Sequence, residues 1–297
     1  MQNKLVVILG QTASGKTDLS VKLAKKFRGE IVSADSRQVY KGLNIGSGKV
    51  TKKEMAGIPH YLLDVANPKT KFTVAQFQKL GVEAIKKIHT KNKLPFLVGG
   101  TGFYIQSIVD GIVIPEVAPN QKLRKKLSGY KVERLYEMLK KLDPMRAKSI
   151  DAKNPIRLIR AIEIIEATKK PVTPLKKNPQ FEVLQLGIKK PAKELKKLIE
   201  KRLQKRIKGI ITEVKKLHNP PAGGGLSFKR LEELGLEYRY VAQYIQGKID
   251  YQEMITILQK ESEHFAKRQL TWFKRDKKIH WIKNQKQAEK LIKNFLQ

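Results

Sequence analysis

The chain has 297 residues, enough for one or two domains, and its 40% of hydrophobic residues suffices for a buried core, which excludes wholesale disorder. Its 62 Lys and Arg outnumber 27 Asp and Glu, and the formal net charge of +35 exceeds what solubility requires and indicates a polyanionic partner. No cysteine is present, so a disulfide scaffold, a thiol nucleophile and a Cys-ligated zinc site are excluded.

Alternating strand and helix patterns occupy the first 115 residues. Short apolar runs predict buried parallel strands, and apolar residues at helical spacing predict helices between them. The predicted strands are residues 5–9, 30–33 and 95–98, and the predicted helices are residues 17–27 and 72–89. This order of elements is typical of an α/β fold.

The pattern changes after residue 115. Residues 121–170 are basic, helix-like and without a clear strand, whereas residues 183–188 again predict a strand. We therefore expect residues 1–115 and 181–297 to form one core, interrupted by a helical insertion domain at residues 116–180. The remaining predicted elements are helices at residues 191–217 and 229–275 and a short strand at residues 279–282.

The sequence predicts neither a signal peptide nor a membrane-spanning helix. No apolar run approaches the ~20 residues of a membrane-spanning helix. The apolar stretch at residues 5–9 is too short for a signal peptide. We expect a cytoplasmic protein without a membrane partner, and a monomer.

A phosphate-binding loop follows the first predicted strand. The residues Gly10, Gln11, Thr12, Ala13, Ser14, Gly15, Lys16 and Thr17 match the pattern G-x-x-x-x-G-K-[ST] and open a predicted helix. Backbone N–H groups and the helix N-terminus attract a phosphate chain, Lys16 adds a positive charge, and the Thr17 hydroxyl can hold Mg²⁺. The loop specifies a phosphate chain, so ATP is one possible ligand among several. We expect a P-loop NTPase-like parallel sheet flanked by helices, with a helical insertion domain.

Two further loops follow predicted strands and face the same crevice of an open α/β sheet. Asp35 lies beyond the second strand, where it could accept a proton, hold a metal through water, or cap the start of a helix, and its position leaves these roles open. Thr101 lies in the glycine-rich segment 99–102, where it could donate to a phosphate oxygen, although an ordinary tight turn has the same sequence. The third strand does not end in Asp, which counts against an ATPase.

Six segments, in order and spanning nearly the whole chain, resemble the tRNA dimethylallyltransferase (tRNA isopentenyltransferase) family. They are residues 10–17, 33–40 with 44–46, 57–61, 97–104, 154–161 and 266–273. The resemblance implies transfer of a dimethylallyl group from dimethylallyl diphosphate to N6 of the adenosine on the 3′ side of the tRNA anticodon. It also implies a P-loop core, an insertion domain that binds the anticodon stem-loop, and Mg²⁺ as cofactor.

The same resemblance implies roles for individual residues. Asp35 would be the general base, Thr101 would stabilise the leaving diphosphate, and Lys16 would act with them. The loop residues 10–17 and Arg202 would bind the diphosphate, and Thr17 would ligate Mg²⁺. The implied tRNA contacts are Asp35, Ser36, Arg37, Gln38, Thr101, Arg124, Ile156, Arg157, Leu158, Ile159 and Arg160.

General chemistry agrees with this assignment. An aryl amine is a poor nucleophile that benefits from a nearby carboxylate, and a diphosphate leaves only if its new charge is neutralised. The chain departs from the family pattern at Gln11, which replaces a proline, at Leu198, which replaces a basic residue, and in the segment 235–239. Residues 121–148 also look shortened.

Three questions stay open at the level of sequence. The helix at residues 261–275 carries Phe265, Gln269 and Trp272 on one face, which fits either a packed core helix or an RNA contact. A small-molecule P-loop kinase is the alternative enzyme, although the charge excess counts against it. A non-catalytic RNA-binding protein with a relic phosphate loop is the third hypothesis.

Overall fold

The computed structural model describes residues 3–115, 117–173, 175–221 and 223–297. The strands are β1 (Lys4–Gly10), β2 (Gly29–Ala34), β3 (His60–Tyr61), β4 (Leu94–Gly99), β5 (Glu182–Ile188) and β6 (His280–Ile282). The helices are α1 (Lys16–Lys26), α2 (Lys52–Met55), α3 (Val74–Thr90), α4 (Gly102–Val109), α5 (Gln121–Ser128), α6 (Val132–Leu142), α7 (Pro144–Ser149), α8 (Pro155–Thr168), α9 (Ala192–His218), α10 (Phe228–Leu234), α11 (Leu236–Ile245), α12 (Tyr251–Phe273) and α13 (Gln285–Leu296).

All paired strands of the described residues run parallel in one six-stranded sheet of order β3-β2-β4-β1-β5-β6. The central strand β1 has residues 5–9 fully buried. Its alternate side chains enter two different cores: Leu5, Val7 and Leu9 pack with α3 and α4, whereas Val6 and Ile8 pack with α1 and α13. A strand that is covered on both faces has apolar residues at every position, which is why the apolar run at residues 5–9 predicted this strand.

The sheet register brings three loops to one edge. Leu9 of β1 pairs with Gly99 of β4, and Gly99 also pairs with Ala34 of β2. The chain leaves the sheet directly after each of these positions, so the loops after β1, β2 and β4 start side by side. This edge is the ligand crevice expected for an open α/β sheet.

The prediction of one continuous helix at residues 229–275 is wrong, because the structure contains three separate helices there, α10, α11 and α12. The backbone breaks at Gly235 and Gly247, which have φ of +77° and +68°. Glycine adopts this left-handed region without the steric cost that other residues incur, so it ends helices readily. The resulting helices enclose a second core with α9, centred on Ile207, Val214 and Tyr238.

The chain divides into two compact units: residues 1–111 with 179–297, and residues 112–178. The second unit contains α5 to α8 around a core that includes Leu135, Leu139 and Ile162. Its helix α8 begins with Pro155 after Asn154, whose side chain accepts a hydrogen bond from the Arg157 N–H. Asparagine at this position followed by proline is a favoured start for a helix.

Candidate active site

The loop between β1 and α1 forms an anion cradle. Gly10 lies at φ +151°, and a Cβ added there would lie 2.2 Å from the Ile188 carbonyl oxygen, so only glycine fits. Gly15 (φ +90°) lets α1 begin at Lys16, with the unpaired N–H groups of its first turn at the loop. The Ser14 hydroxyl is buried and has no hydrogen-bond partner among the described residues. An unpaired donor in such a loop is suited to a phosphate oxygen.

Lys16 lies in the same cradle, and its Nζ donates to the Gln11 carbonyl oxygen. Burial lowers the pKa of Lys16 to about 8, and the neighbouring Arg202 guanidinium adds to the decrease while the Asp35 carboxylate opposes it. A buried ammonium group gains from an anionic ligand that replaces the lost hydration. Lys16 is therefore a cation that a diphosphate would stabilise.

Asp35 uses one carboxylate oxygen to hold its own turn. Oδ1 accepts hydrogen bonds from the N–H groups of Arg37 (2.8 Å) and Gln38 (3.3 Å). Within the described parts of the chain, no residue donates to Oδ2. Residues 36–39 form a turn, so the predicted alternative of a helix cap is wrong. The side chain caps this turn with one oxygen and leaves the other available for a ligand.

Thr101 lies next to Asp35 across the loop edge. Its Oγ1 accepts the Ser36 N–H at 3.0 Å, which leaves the hydroxyl hydrogen available for donation. Thr101 occupies the N-cap position of α4, but its side chain makes no capping hydrogen bond there. The hydroxyl can therefore donate to an oxygen in the crevice.

Gln269 of α12 joins the phosphate loop to the loop after β4. Its Oε1 accepts the Thr12 N–H at 2.7 Å, and its Nε2 donates to the Gly100 carbonyl oxygen at 3.0 Å. A Cβ on Gly100 would lie 2.2 Å from Nε2, and a Cβ on Gly102 would lie 2.3 Å from Cδ1 of Trp272. This face of α12 is therefore packed against the site at Gln269 and Trp272, and an RNA contact by Phe265 stays a prediction.

These elements surround one pocket of about 310 Å³. Its polar wall contains Thr12, Asp35, Ser36 and Thr101, and its cationic wall contains Arg37, Arg202, Arg206, Arg239 and Arg268. Apolar side chains complete it: Ile199, Leu203, Ile210, Leu234, Leu236 and Phe265. A pocket with phosphate-binding groups, a carboxylate and an apolar lining suits a substrate with a charged and a hydrocarbon part.

Two arginines one turn apart on α9 are positioned beside the phosphate loop. Arg202 Nη1 donates to the Thr12 hydroxyl at 3.3 Å. Burial and the adjacent Arg202 charge lower the pKa of Arg206 to about 10, and its Nη2 is buried without a partner among the described residues. Burial raises the pKa of the Glu237 carboxyl in the same pocket. Unpaired guanidinium donors make this wall an anion site.

Comparisons with known proteins identify the family. The sequence profile described as IPP transferase matches residues 38–276. A tRNA dimethylallyltransferase of Carboxydothermus hydrogenoformans is 39% identical over 308 residues, which covers 100% of this chain and 97% of that protein. The chain belongs to the IPP transferase family.

Solved structures of IPP transferases and related enzymes share the fold. The tRNA isopentenylpyrophosphate transferase of Bacillus halodurans matches with a TM-score of 0.70 and 34% identity, over 99% of this chain and 95% of its own. A eukaryotic dimethylallyltransferase acting on tRNA matches with a TM-score of 0.75 and 26% identity, over 91% of this chain and 70% of its own. The predicted family, α/β fold and transferase activity are confirmed, and the kinase and the non-catalytic RNA-binding protein are left without support.

The structure brings most predicted core residues of this IPP transferase together. Asp35, Thr101 and Arg202 line one pocket, and Lys16 lies close enough for its pKa to respond to Asp35 and Arg202. Gln11 is different, since its side chain donates to the Ala266 carbonyl (3.5 Å) and accepts the Lys190 N–H (3.4 Å). Gln11 therefore supports the loop from behind, where its side chain does not contact the pocket.

Sequence reasoning missed two residues of the site, Arg206 and Glu237, and the role of a third, Gln269. Arg206 could have been found from its spacing, because four residues after Arg202 is one turn of a helix. Glu237 lies in the segment that departs from the family pattern, but nothing in the sequence places it in the pocket. The bridging role of Gln269 carries no sequence signal, since its partners are 169 and 257 residues away along the chain.

In the second unit, two predicted tRNA contacts are engaged with a buried carboxylate. Arg124 donates from Nε and Nη2 to Glu163 at 2.8 and 2.7 Å, and Arg160 donates from Nη1 at 2.6 Å. These cations and the Asn120 N–H lower the pKa of the Glu163 carboxyl despite its burial. The two arginines thus first neutralise a charge that would otherwise be unpaired in the core.

The other predicted contacts of α8 differ in exposure. Ile156 is 79% exposed, Arg157 is also exposed, and Ile159 is half-buried. Leu158 is 0% exposed and packs in the hydrophobic core of its unit, because its position on the helix faces inward. Its side chain therefore belongs to the core, so a tRNA contact at Leu158 would involve its backbone, and that contact stays a prediction.

Neither a cluster of metal-ligating side chains nor a membrane-spanning helix occurs in the described ranges, residues 3–115, 117–173, 175–221 and 223–297. No group of three or more His, Cys, Asp or Glu side chains in them could hold a metal ion. No helix in these ranges has the length and apolar composition that crossing a membrane requires. The Thr17 side chain is exposed at the start of α1, beside the phosphate cradle.

Proposed function

We propose that this IPP transferase transfers the dimethylallyl group of dimethylallyl diphosphate to N6 of the adenosine adjacent to the 3′ side of the tRNA anticodon. One observation carries the proposal. One pocket combines three features: the phosphate-loop residues Thr12 and Ala13 with the unpaired Nη2 of Arg206, the Asp35 carboxylate, and an apolar wall. A prenyl diphosphate and a weakly nucleophilic amine require these three features together.

The diphosphate is bound by fixed positive groups. The N–H groups of the loop and the first turn of α1, the Lys16 ammonium and the Arg202 and Arg206 guanidinium groups surround its oxygens. These groups are in place before the reaction, so they stabilise the charge that develops as the diphosphate leaves. Ile199, Leu203 and Phe265 offer the hydrocarbon tail an apolar lining.

The transfer breaks the bond between prenyl C1 and the diphosphate oxygen and forms a bond between C1 and N6. The electron pair of the broken bond stays on the diphosphate, and the Thr101 hydroxyl donates a hydrogen bond to it. The N6 proton passes to Oδ2 of Asp35, which prevents positive charge from persisting on nitrogen. The adenine leaves its stack to enter the pocket, at a cost of a few kcal/mol that is smallest in an RNA loop.

The residues present fit the predicted Mg²⁺ ion. Magnesium keeps several waters and takes one or two protein oxygens together with substrate phosphates, so it does not require a cluster of carboxylates. The exposed Thr17 hydroxyl at the cradle is a suitable protein ligand. When bound, the ion would neutralise part of the diphosphate charge.

The insertion unit supports the proposed binding of an anticodon stem-loop. Residues 112–178 contain 17 Lys and Arg and seven Asp and Glu, a net charge of +10. The exposed start of α8, with Ile156 and Arg157, offers one apolar and one cationic contact. Phosphate contacts by such cations supply most of the sequence-independent affinity for nucleic acid. A cytoplasmic monomer stays a prediction.

The direct test is nucleoside analysis. The protein is incubated with dimethylallyl diphosphate, Mg²⁺ and tRNA that has adenosine at the target position, and the digested tRNA is analysed by mass spectrometry. We expect N6-dimethylallyladenosine, and no product when guanosine replaces the target adenosine. Absence of product with every tRNA of the source organism would refute the proposal, and ATP-dependent phosphorylation of a small molecule would favour the kinase.

A further inference from the structure

One wall of the pocket is a loop, residues 43–49, whose position limits the space around the arginines. Gly46 and Ser47 of this loop line the pocket. A Cβ on Gly48 would lie 1.8 Å from Nη2 of Arg202 and 3.2 Å from Nη1 of Arg206. The loop backbone is thus packed directly on both guanidinium groups, and a shift of the loop would release them.

A buried glutamate of α9 holds this loop. The carboxylate of Glu213, 9% exposed, accepts the N–H groups of Asn44 (3.0 Å), Ile45 (2.6 Å) and Gly46 (3.0 Å). Three consecutive N–H groups that converge on one carboxylate form an anion-binding nest. Hydrogen bonds to a charged, buried acceptor are stronger than neutral ones, so this contact defines the loop conformation.

Tyr238 of α11 completes the contact. Its hydroxyl donates to Oε1 of Glu213 at 2.8 Å and accepts the Ser47 N–H at 3.0 Å. A Cβ on Gly46 would lie 2.6 Å from Cζ of Tyr238, so the loop and the ring are in tight contact. The pocket residue Glu237 precedes Tyr238, and the cluster therefore joins three walls of the pocket: α9, the loop and the start of α11.

The far end of the loop is tied to the turn of the general base. Gln38 Nε2 donates to the Gly48 carbonyl at 3.1 Å, and the Gln38 N–H donates to Asp35 Oδ1 at 3.3 Å. Arg202 and Glu213 belong to one helix, so α9 both presents the arginine and holds the loop against it. Arg202 in turn donates to Thr12 of the phosphate loop.

We propose that Glu213 is a positioning residue for binding of the prenyl diphosphate. Glu213 keeps residues 43–49 against Arg202 and thereby keeps Arg202 directed at the phosphate loop. This inference rests on the proposed function for the identity of the donor. Glutamine at position 213 would keep the shape, but it has one acceptor oxygen for four donors, and its amide group would face N–H groups. The loop would then relax and Arg202 would lose its lateral support.

The test compares Glu213→Gln and Tyr238→Phe with a matched control, Glu30→Gln. Glu30 is also a buried carboxylate of the same unit, 1% exposed, and it bonds Lys91, Lys93 and Tyr61. It lies at the end of β2 opposite Asp35. For each protein we would measure the KM for dimethylallyl diphosphate at saturating tRNA, kcat, the Kd for tRNA and the midpoint of thermal unfolding. Binding of inorganic diphosphate alone is measured by calorimetry.

We expect Glu213→Gln to raise the donor KM by about tenfold or more, the effect of losing one charge-assisted hydrogen bond, with the tRNA Kd changed less than about twofold. Tyr238→Phe should also raise the donor KM, by about threefold. This variant provides the test if Glu213→Gln fails to fold. Glu30→Gln should lower the unfolding midpoint and leave the donor KM unchanged.

The inference is overturned if Glu213→Gln and Tyr238→Phe lose thermal stability as Glu30→Gln does while the donor KM is unaltered. It is also overturned if the tRNA Kd rises in place of the donor KM. If the wild-type protein binds diphosphate but prenylates no tRNA, only the proposed function fails. The role of Glu213 is then decided by comparing the calorimetric Kd for inorganic diphosphate between the wild type and Glu213→Gln.

Discussion

The two oxygens of Asp35 allow its proposed roles to be separated by substitution. Oδ1 accepts the N–H groups of Arg37 and Gln38 and holds the turn, whereas Oδ2 is the proposed proton acceptor. Asp35→Asn keeps an oxygen for the turn and removes the base, because an amide does not accept a proton near neutral pH. Asp35→Ala removes both functions.

The expected magnitudes follow from these contacts. Loss of a general base lowers turnover by about 10²–10⁴-fold, so we expect kcat of Asp35→Asn to fall by at least about 10²-fold. The turn should survive in this variant, with little change in the unfolding midpoint. Asp35→Ala should show the same loss of kcat and should also lose about 1 kcal/mol of stability, the typical value of a side-chain cap.

The assay is single-turnover prenylation at saturating donor and tRNA, with the tRNA Kd measured separately by filter binding. Both variants should bind tRNA nearly as well as the wild type, since the substitution leaves the cationic surfaces unchanged. If Asp35→Asn retains wild-type turnover while Asp35→Ala does not, Asp35 acts only as a turn cap and another group accepts the proton. A large loss of tRNA affinity with unchanged kcat would likewise refute the reasoning.

Three further predictions concern the walls of the site. Gln269→Leu leaves the part-buried Thr12 N–H and the buried Gly100 carbonyl without partners. Loss of the buried partner alone costs about 1–3 kcal/mol, so both the thermal midpoint and kcat should fall. A stable variant of normal kcat would contradict the bridging role of Gln269. Because burial lowers the pKa of Lys16 to about 8, its cationic form disappears as pH rises through 8, and kcat/KM for the donor should be level below pH 8 and fall about tenfold per unit above it. A pH profile that is flat to pH 10 would refute the combination of a lowered pKa and a donor-binding role for Lys16. The tRNA affinity should decrease steeply with salt concentration. In a plot of log K against log salt concentration, we expect a slope of about −0.7 to −0.9 per phosphate contact. A flat dependence would exclude the excess of positive charge as the source of affinity.

Features encoded by neighbouring residues were predictable. The phosphate loop is eight contiguous residues between a strand and a helix, so its conformation depends on local geometry. The meeting of this loop with Asp35 and Thr101 also followed from sequence, because parallel strands of a sheet end at a common edge. The breaks at Gly235 and Gly247 coincide with glycines, but residues 229–275 have helical periodicity on both sides of each glycine, so the sequence alone predicts one continuous helix.

Features that depend on long-range packing were not predictable. Leu158 stands among exposed residues of α8, and only the direction in which the helix faces its neighbours shows that it is buried. Arg160 resembles an RNA contact by position, yet its partner Glu163 determines where its guanidinium lies. The same helix can present or bury a given residue, and a single sequence does not record which neighbour it packs against.

By itself, the sequence determined the α/β framework, the phosphate cradle, the positive charge and the family, because each depends on local patterns or on many residues in order. Only the tertiary structure decided which polar groups complete the site. Gln269 joins two loops, Glu213 holds a third against Arg202, and Asp35 divides its oxygens between a turn and the pocket. A buried hydrogen bond is defined by a distance of about 3 Å between groups that are far apart along the chain, and only the folded backbone sets that distance.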